Sequence, residues 1–482
     1  MASRVFAVDL GAWSVKLAIA SPGLRGATLL QVIERLVPPG DEPALVRAKA
    51  VLAGLVNELR LRDESGYLGV YGDQVFTQVL EFAFKNLRRA ELDKAVGGEL
   101  EGVVPVDLED MVYAFEPMPS VAAAPGSAPP GALSAGGPGP GTAPEIPRGR
   151  VAPPVEGMRV LTYAMRRDRA ERLIELGKEC GFDPRGILTS GGAAVRLVAH
   201  TPSLVRARAE GAVAVIDIGH ERTDVVVVAG GKAVFSRSIA RGGRQVTDAI
   251  AGHWKLSWPE AEHAKHSDGF VSSSAEPATS EAWQKIHQVT IVELSPFARD
   301  LRQTLAACRA RTGFSPIAAL LVGGGARLRG IAGFLGEQLA IPAWRPTPDD
   351  VLALAGPRLG GEPQARASID AAAMAVGMAF DAAGGRPMFD LRSGDLAVKV
   401  DFSFLRAKAV PIGAAVLAVA AFAAGSAYAD LYSVRKAERV LSTRLATESA
   451  DYFGESRTAD EVLSFGGPGG SAAPSPMPKL TG

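Results

Sequence analysis

The stretch Val213-Ala214-Val215-Ile216-Asp217-Ile218-Gly219-His220-Glu221-Arg222-Thr223-Asp224-Val225-Val226-Val227-Val228 decides how this chain folds. β-Branched residues dominate 213–218 and 224–228, which predicts two strands joined by a tight polar turn. Asp217, Gly219 and Thr223 stand in or beside that turn. A glycine there allows a close backbone approach, so its N–H groups can cradle phosphate oxygens. The carboxylate can hold Mg²⁺ directly or through water, because hard cations prefer oxygen. Thr223 adds a hydroxyl donor. The same arrangement recurs near the N-terminus as Val5-Phe6-Ala7-Val8-Asp9-Leu10-Gly11-Ala12-Trp13-Ser14-Val15-Lys16-Leu17. Two strand–Asp-x-Gly–strand units predict two similar half-domains facing one nucleotide.

One such turn says little, since Asp-Gly-type turns occur in any hairpin. A third element, Val322-Gly323-Gly324-Gly325-Ala326, follows a strand-like run at 317–322 and precedes a helical pattern. Glycines at such a junction let a base or phosphate rest on backbone and helix N-terminus. At this point the chain resembles the actin-like ATPase superfamily of actin, Hsp70 and sugar kinases. The resemblance implies an α/β fold of duplicated halves. It matches Asp9, Gly11 and Lys16 to the first phosphate motif and Asp217, Gly219 and Thr223 to the second. Gly323, Gly324 and Gly325 match the adenosine motif. The Ala/Gly-rich runs at 191–198 and 371–377 resemble its two connecting helices. ATP with Mg²⁺, held at Asp9 and Asp217, is the implied ligand.

With 482 residues the chain can hold two or more core-forming domains, and its formal charge of zero argues against nonspecific attraction to nucleic acid. Cys180 and Cys308 lie in helical contexts without metal spacing and read as core thiols. His263 and His266 share a helical face, which reads as solvated surface rather than a metal site.

Residues 3–36 read as consecutive strands and 41–61 as an amphipathic helix. From 67 to 119 comes a mixed segment: a strand near 68–71, helix near 87–100 and a strand near 112–116. It resembles the small inserted subdomain of the PilM and GspL families. Residues 121–157 are rich in Pro, Gly and Ala and read as a flexible insertion. A strand at 158–165, a helix at 167–180 and a helix at 193–199 lead into the quoted stretch. A strand at 233–239 then gives way to a helix opened by Gly242 and Gly243. Residues 267–280 read as an exposed serine-rich loop. Ser295 and Pro296 read as the cap and first turn of a helix with the stripe Phe297, Leu301, Leu305 and Cys308, ended by Gly313.

No charged residue occurs from 409 to 429. About twenty apolar residues span a bilayer core, so this run predicts one transmembrane helix after a head at 1–385 and a juxtamembrane tract at 386–408. Basic residues flank both ends and leave the orientation open by charge alone. The chain opens directly on a strand without a leader, and a nucleotide head needs internal ATP, so a cytoplasmic N-terminus is expected. Residues 431–445 read as a short amphipathic helix able to pair with a copy of itself, and 448–482 as a polar tail.

A single C-terminal span behind an actin-like head resembles GspL, the inner-membrane component of type II secretion; FtsA has an amphipathic helix there and PilM none. Phe389-Asp390-Leu391-Arg392-Ser393-Gly394-Asp395 resembles the Asn-Leu-x-x-Gly tract ahead of the GspL span, with Asp390 in place of Asn. The periplasmic ferredoxin-like domain of GspL is missing, which implies a truncated chain or reduced periplasmic contacts. The resemblance implies an assembly platform that recruits a GspE-like secretion motor ATPase and pairs with a GspM-like or PilN-like bitopic partner and with itself. The tract at 389–395 is expected to dock on a head, its own or a neighbour's, and its deletion to spare folding but weaken assembly. A PilM-like pilus protein, an FtsA-like division protein and a sugar-kinase-type phosphotransferase are the alternatives. His220, Glu221 and Arg222 stand where active relatives place small residues, and no catalytic base can be assigned. Binding without appreciable hydrolysis is expected.

Overall fold

In the computed structural model, β1 (Val5–Leu10), β2 (Ser14–Ser21) and β3 (Thr28–Leu36) pair antiparallel in succession, and α1 (Ala44–Glu58) carries the chain back to β4 (Ser65–Val70), parallel to β1. The described residues are 4–23, 26–84, 87–104, 106–120, 157–359, 361–363, 368–398 and 409–464, in two units, Met1–Val398 and Lys399–Gly482. Most of the insertion read at 121–157, residues 399–408 of the juxtamembrane tract and the end of the tail lie outside them.

After β4 the chain builds a separate small sheet from β5 (Phe76–Phe82), α2 (Arg89–Glu101), β6 (Met111–Pro117) and β7 (Met158–Arg166), in the order β5-β7-β6. Its core packs Leu92, Val96 and Leu100 of α2 on Leu80, Phe82, Phe115 and Val160. This corrects the segment read at 67–119. β4 belongs to the first large sheet, and the insertion gains β7 from beyond the Pro/Gly/Ala-rich run. α3 (Arg167–Glu179) and β8 (Gly186–Thr189) then complete a first sheet ordered β3-β2-β1-β4-β8.

The second half repeats this plan. α4 (Ser190–His200) and α5 (Val205–Glu210) lead to β9 (Ala212–Ile218), β10 (Thr223–Ala229) and β11 (Lys232–Ile239). The helices α6 (Gly243–Trp254), α7 (Trp258–Asp268) and α8 (Glu281–Thr312) precede β12 (Pro316–Val322), α9 (Ile331–Leu339), β13 (Ala343–Trp344), α10 (Pro348–Leu359) and α11 (Ala373–Ala383). The second sheet is ordered β11-β10-β9-β12-β13, with β9–β10 and β10–β11 antiparallel and β9–β12 and β12–β13 parallel. That is the topology of the first sheet, strand for strand. β1 and β10 are buried along their whole length, as strands covered on both faces must be, and so read as near-continuous apolar runs.

The two Ala/Gly-rich helices cross between the halves. α4 follows the first sheet yet packs on β9, β10 and β11, while α11 packs on β1, β2 and β4. They touch backbone to backbone: a Cβ on Gly377 would lie 2.5 Å from the Ala193 carbonyl oxygen.

Two sequence readings fail in the second half. α8 starts at Glu281, capped by the Ser280 side chain, which accepts a hydrogen bond from Trp283 N at 3.2 Å. It runs through Pro296 rather than beginning there. The proline removes the bond to the Val292 carbonyl, on a side where Val292 is 63% exposed and water can serve instead. The stripe itself holds, with Phe297, Leu301 and Cys308 buried and Gly313 closing the helix at φ 75°. The loop at 267–280 is not simply exposed, since Phe270 and Val271 are buried beneath it.

In the second unit, α12 (Ala409–Phe453) is one uninterrupted helix and α13 (Ala459–Ser464) follows. The span and the amphipathic helix read separately at 431–445 are therefore parts of a single rod. At 1.5 Å per residue it is roughly 68 Å long, against about 30 Å for a bilayer core. The part from Gly413 to Tyr452 is long and apolar enough to cross a membrane.

Candidate functional site

The two hairpin turns meet at one cavity of about 370 Å³, lined by Asp9, Gly11, Lys16, Asp217, Gly219, Gly324 and Gly325 among others. Strand register sets the charges. Asp9 faces Lys16 across β1–β2, and Lys16 Nζ lies 3.1 Å from Asp9 Oδ2. In the repeated hairpin the same register pairs Asp217 with Asp224, so a carboxylate stands where the first hairpin has its lysine. Tyr71, at the end of β4, donates its hydroxyl to the other Asp9 oxygen.

These contacts shift the groups. Burial pulls the Lys16 ammonium down, but Asp9 and Asp217 outweigh it and hold it above its ordinary value. Burial, then the Asp9 charge, drives the Tyr71 hydroxyl well above the usual phenol range. Asp217 is pushed up to about 7, first by burial and then by Asp9, with Lys16 opposing. Its folded value exceeds the ordinary aspartate value of 3.8, so between the two the native chain keeps a proton that the unfolded chain has lost. Stability from this group is therefore lost as pH rises through roughly 4 to 7. Asp217→Asn is expected to raise the melting temperature more at pH 8 than at pH 4, and equal shifts at both would contradict this assignment.

The glycines serve differently from the sequence reading. Gly11 N donates to Ser14 O at 3.0 Å and Gly219 N to Arg222 O at 2.9 Å, so both amides close their own turns. A side chain at either would press on its own turn first, since a Cβ on Gly11 would lie 2.6 Å from Ser14 O and one on Gly219 2.9 Å from Arg222 O. Gly323 does not line the cavity. At φ 87° it lets the end of β12 pass behind Asp217, whose Oδ1 would lie 2.2 Å from a Cβ there. A Cβ on Gly324 would meet nothing within 4 Å. Thr223 is also corrected: it is fully buried and donates to Arg241 O at 2.8 Å, supporting the loop before α6 instead of facing the cavity.

Tyr71 and Asp224 are site residues the sequence reading missed, and Arg222, read there only for its bulk, proves to be a tie between the halves. Arg222 reaches from the second turn to Asp73 and lies 4.6 Å over the Tyr71 ring. Counting residues outward from each turn would have found Asp224 as the counterpart of Lys16. Nothing local marks Tyr71, because β4 is brought to the site by parallel pairing.

The tract at 389–395 docks on its own head. Leu391 N donates to Ile187 O at 2.8 Å, and Asp390 Oδ1 accepts from Ile187 N at 2.9 Å, so the tract adds to the β8 edge. Phe389 is buried edge-on against Tyr163, with ring centroids 4.8 Å apart, and Leu391 is fully buried. The expectation that the tract could be deleted without harm to folding is therefore overturned: its side chains are core.

Residues 149–382 match the family described as type IV pilus assembly protein PilM. No curated protein matches the chain. Among solved structures, a PilM–PilN type IV pilus biogenesis complex is 22% identical, with 79% of this chain and 98% of that chain covered and a TM-score of 0.58. MreB5 of Spiroplasma citri bound to AMPPNP is 12% identical over 72% of this chain and 92% of that one, TM-score 0.38. The cytoplasmic domain of EpsL, an inner-membrane component of the type II secretion system of Vibrio cholerae, is 13% identical over 53% and 78%, TM-score 0.29. The first likeness shows the fold, and the family match adds the sequence of its second half. The duplicated sheets and crossed helices give this chain an actin-like α/β fold, and residues 149–382, just under half of it, match the PilM family model.

Proposed function

We propose that this protein is an inner-membrane assembly platform whose actin-like cytoplasmic head recruits a secretion motor ATPase and couples it to membrane partners. One observation carries the proposal: an actin-like head and a helix of bilayer-spanning length occupy one chain. The tract bonded to β8 comes shortly before that helix in sequence, which supports a short tether. In this reading the head extends to Val398, taking in the tract read as juxtamembrane, the span is 409–429 with the N-terminus inside, and the remainder is a short periplasmic helix and tail. A bitopic partner of GspM or PilN type and a second copy of this chain complete the platform. Type II secretion is the first reading; the PilM match favours pilus machinery as the second.

Mg-ATP is the proposed ligand of the cleft. The donor set fits, with two hard carboxylates, Asp9 and Asp217, for the cation and Lys16 for the phosphates. Gly324 leaves open space beside them, Gly11 and Gly219 close the two turns, Gly325 packs on Ile218, and Gly323 and Thr223 support the site from behind. Such a ligand supplies charge and a bridge between the halves; it serves as a structural or switching ligand rather than as a substrate.

Ending the chain at Val398 is expected to move it from the membrane pellet to the supernatant, and retention in the pellet would refute the anchor. Affinity purification of the full chain from its own membranes is expected to recover a type II secretion motor ATPase. A pilus motor instead would move the assignment to the second reading, and recovery of neither would sink the platform.

A further inference from the structure

Four aromatic rings cluster where the two turns meet, three of them lining the cavity. Trp13, in the first turn, stacks on His220, in the second, with centroids 5.5 Å apart and planes at 30°. It also meets Trp258 at 5.9 Å and His266 at 5.8 Å, both on α7. His220 in turn meets Trp258 edge-on at 5.6 Å. The rings of the second half are fixed from behind. Trp258 Nε1 donates to Asp248 at 3.2 Å, and His266 Nε2 lies 3.1 Å from Glu262. Lys265 holds Glu262 from the other side at 2.7 Å. Trp13 is thus the one member of the cluster carried by the first half, and three ring contacts depend on it.

We propose that Trp13, His220, Trp258 and His266 form a latch that holds the two halves together over the phosphate end of the cleft, so that a ligand enters only when Trp13 swings off His220. Trp13, His220 and His266 all line the cavity that contains Asp9, Lys16 and Asp217, so leaving or reaching that cavity disturbs the same stack. Arg222 also reaches across to Asp73, and Arg327 lies 3.6 Å from Glu34, so the aromatic cluster adds an apolar contact to two ion pairs that join the halves at the cavity. The gating role rests on the nucleotide reading; the clamping role does not.

The test uses the full chain in detergent, as wild type, Trp13→Ala and Trp13→Phe, with Trp254→Ala (at an exposed ring outside the cluster) as control. Each aromatic pair contributes modestly beyond its area, and losing three together is expected to speed amide exchange in 11–16 and 217–224 by about tenfold or more in Trp13→Ala. Trp13→Phe is expected to restore most of the protection, and Trp254→Ala to leave it unchanged. With Mg²⁺ and a fluorescent ADP analogue, Trp13→Ala is expected to bind and release faster than wild type. Unchanged exchange in Trp13→Ala overturns the latch, whatever the nucleotide does. Faster exchange with equal on- and off-rates overturns the gating role. Faster exchange with no nucleotide bound by any variant supports the clamp and sinks the nucleotide reading instead.

Discussion

Replacing Gly377 by valine is expected to leave no folded head. A Cβ at this position would lie 2.5 Å from the Ala193 oxygen, 2.9 Å from its carbonyl carbon and 3.0 Å from its Cα. All three are backbone atoms, so no side chain can turn aside; α4 and α11 must separate. Each of these helices is packed on the sheet of one half, and moving them apart opens both cores at once. Overpacking an ordinary core site costs about 1–3 kcal/mol, and a whole domain is stable by only about 5–15 kcal/mol. A clash seated in two helix backbones exceeds the ordinary case. Circular dichroism and the soluble yield of the detergent extract check the outcome, and a variant that melts like wild type would refute the backbone contact. Gly252→Ala is the matching control: that glycine, also helical, has open space around it, and the change is expected to stabilise by about 0.5–1 kcal/mol.

Phe389→Ala comes second in size, with an expected loss of about 3–5 kcal/mol, the usual range for emptying a buried phenylalanine site. Phe389 is 2% exposed, packs against Tyr163 of the inserted sheet and is held in the left-handed region at φ 54°. The loss has a second consequence. With the ring gone, the buried Leu391 side chain and the two bonds to Ile187 are the remaining ties of the tract to β8, and proteolysis between 385 and 398 is expected to accelerate in step with the fall in stability. Protection unchanged in Phe389→Ala would mean that Leu391 and the polar bonds suffice to hold the tract. Arg392, whose guanidinium reaches Asp183 at 2.8 Å, would then be the residue to replace.

What the sequence made legible was whatever depends on short spacing. Asp9, Gly11 and Lys16 lie within one hairpin, as do Asp217 and Gly219, and the matching turns announced the duplication. The long pairings were hidden. β7 joins β5 and β6 across the Pro/Gly/Ala-rich run, and no local pattern shows which sheet a strand will enter. Phe76–Phe82 shows its buried face only at Leu80 and Phe82, too short a pattern to mark a strand after the Gly72–Gln74 turn. Pro296 misled because proline after serine is the usual signature of a helix start, whereas here Leu294, Phe297, Ala298 and Leu301 already share a buried stripe that carries the helix through. Thr223 was read by its type; only the position of the Arg241 carbonyl shows that its hydroxyl points away from the cavity.

Two hairpins of like topology, left alike in charge, would treat the two ends of any bound chain of phosphates as equivalent. They are not alike: opposite Asp9 stands an ammonium, and opposite Asp217 a second carboxyl. The first hairpin is therefore neutralised within itself, whereas the second sets two carboxyls side by side, which a proton or a cation would relieve. The duplication of the backbone is thus not a duplication of charge, and the two halves meet the cavity as unlike surfaces.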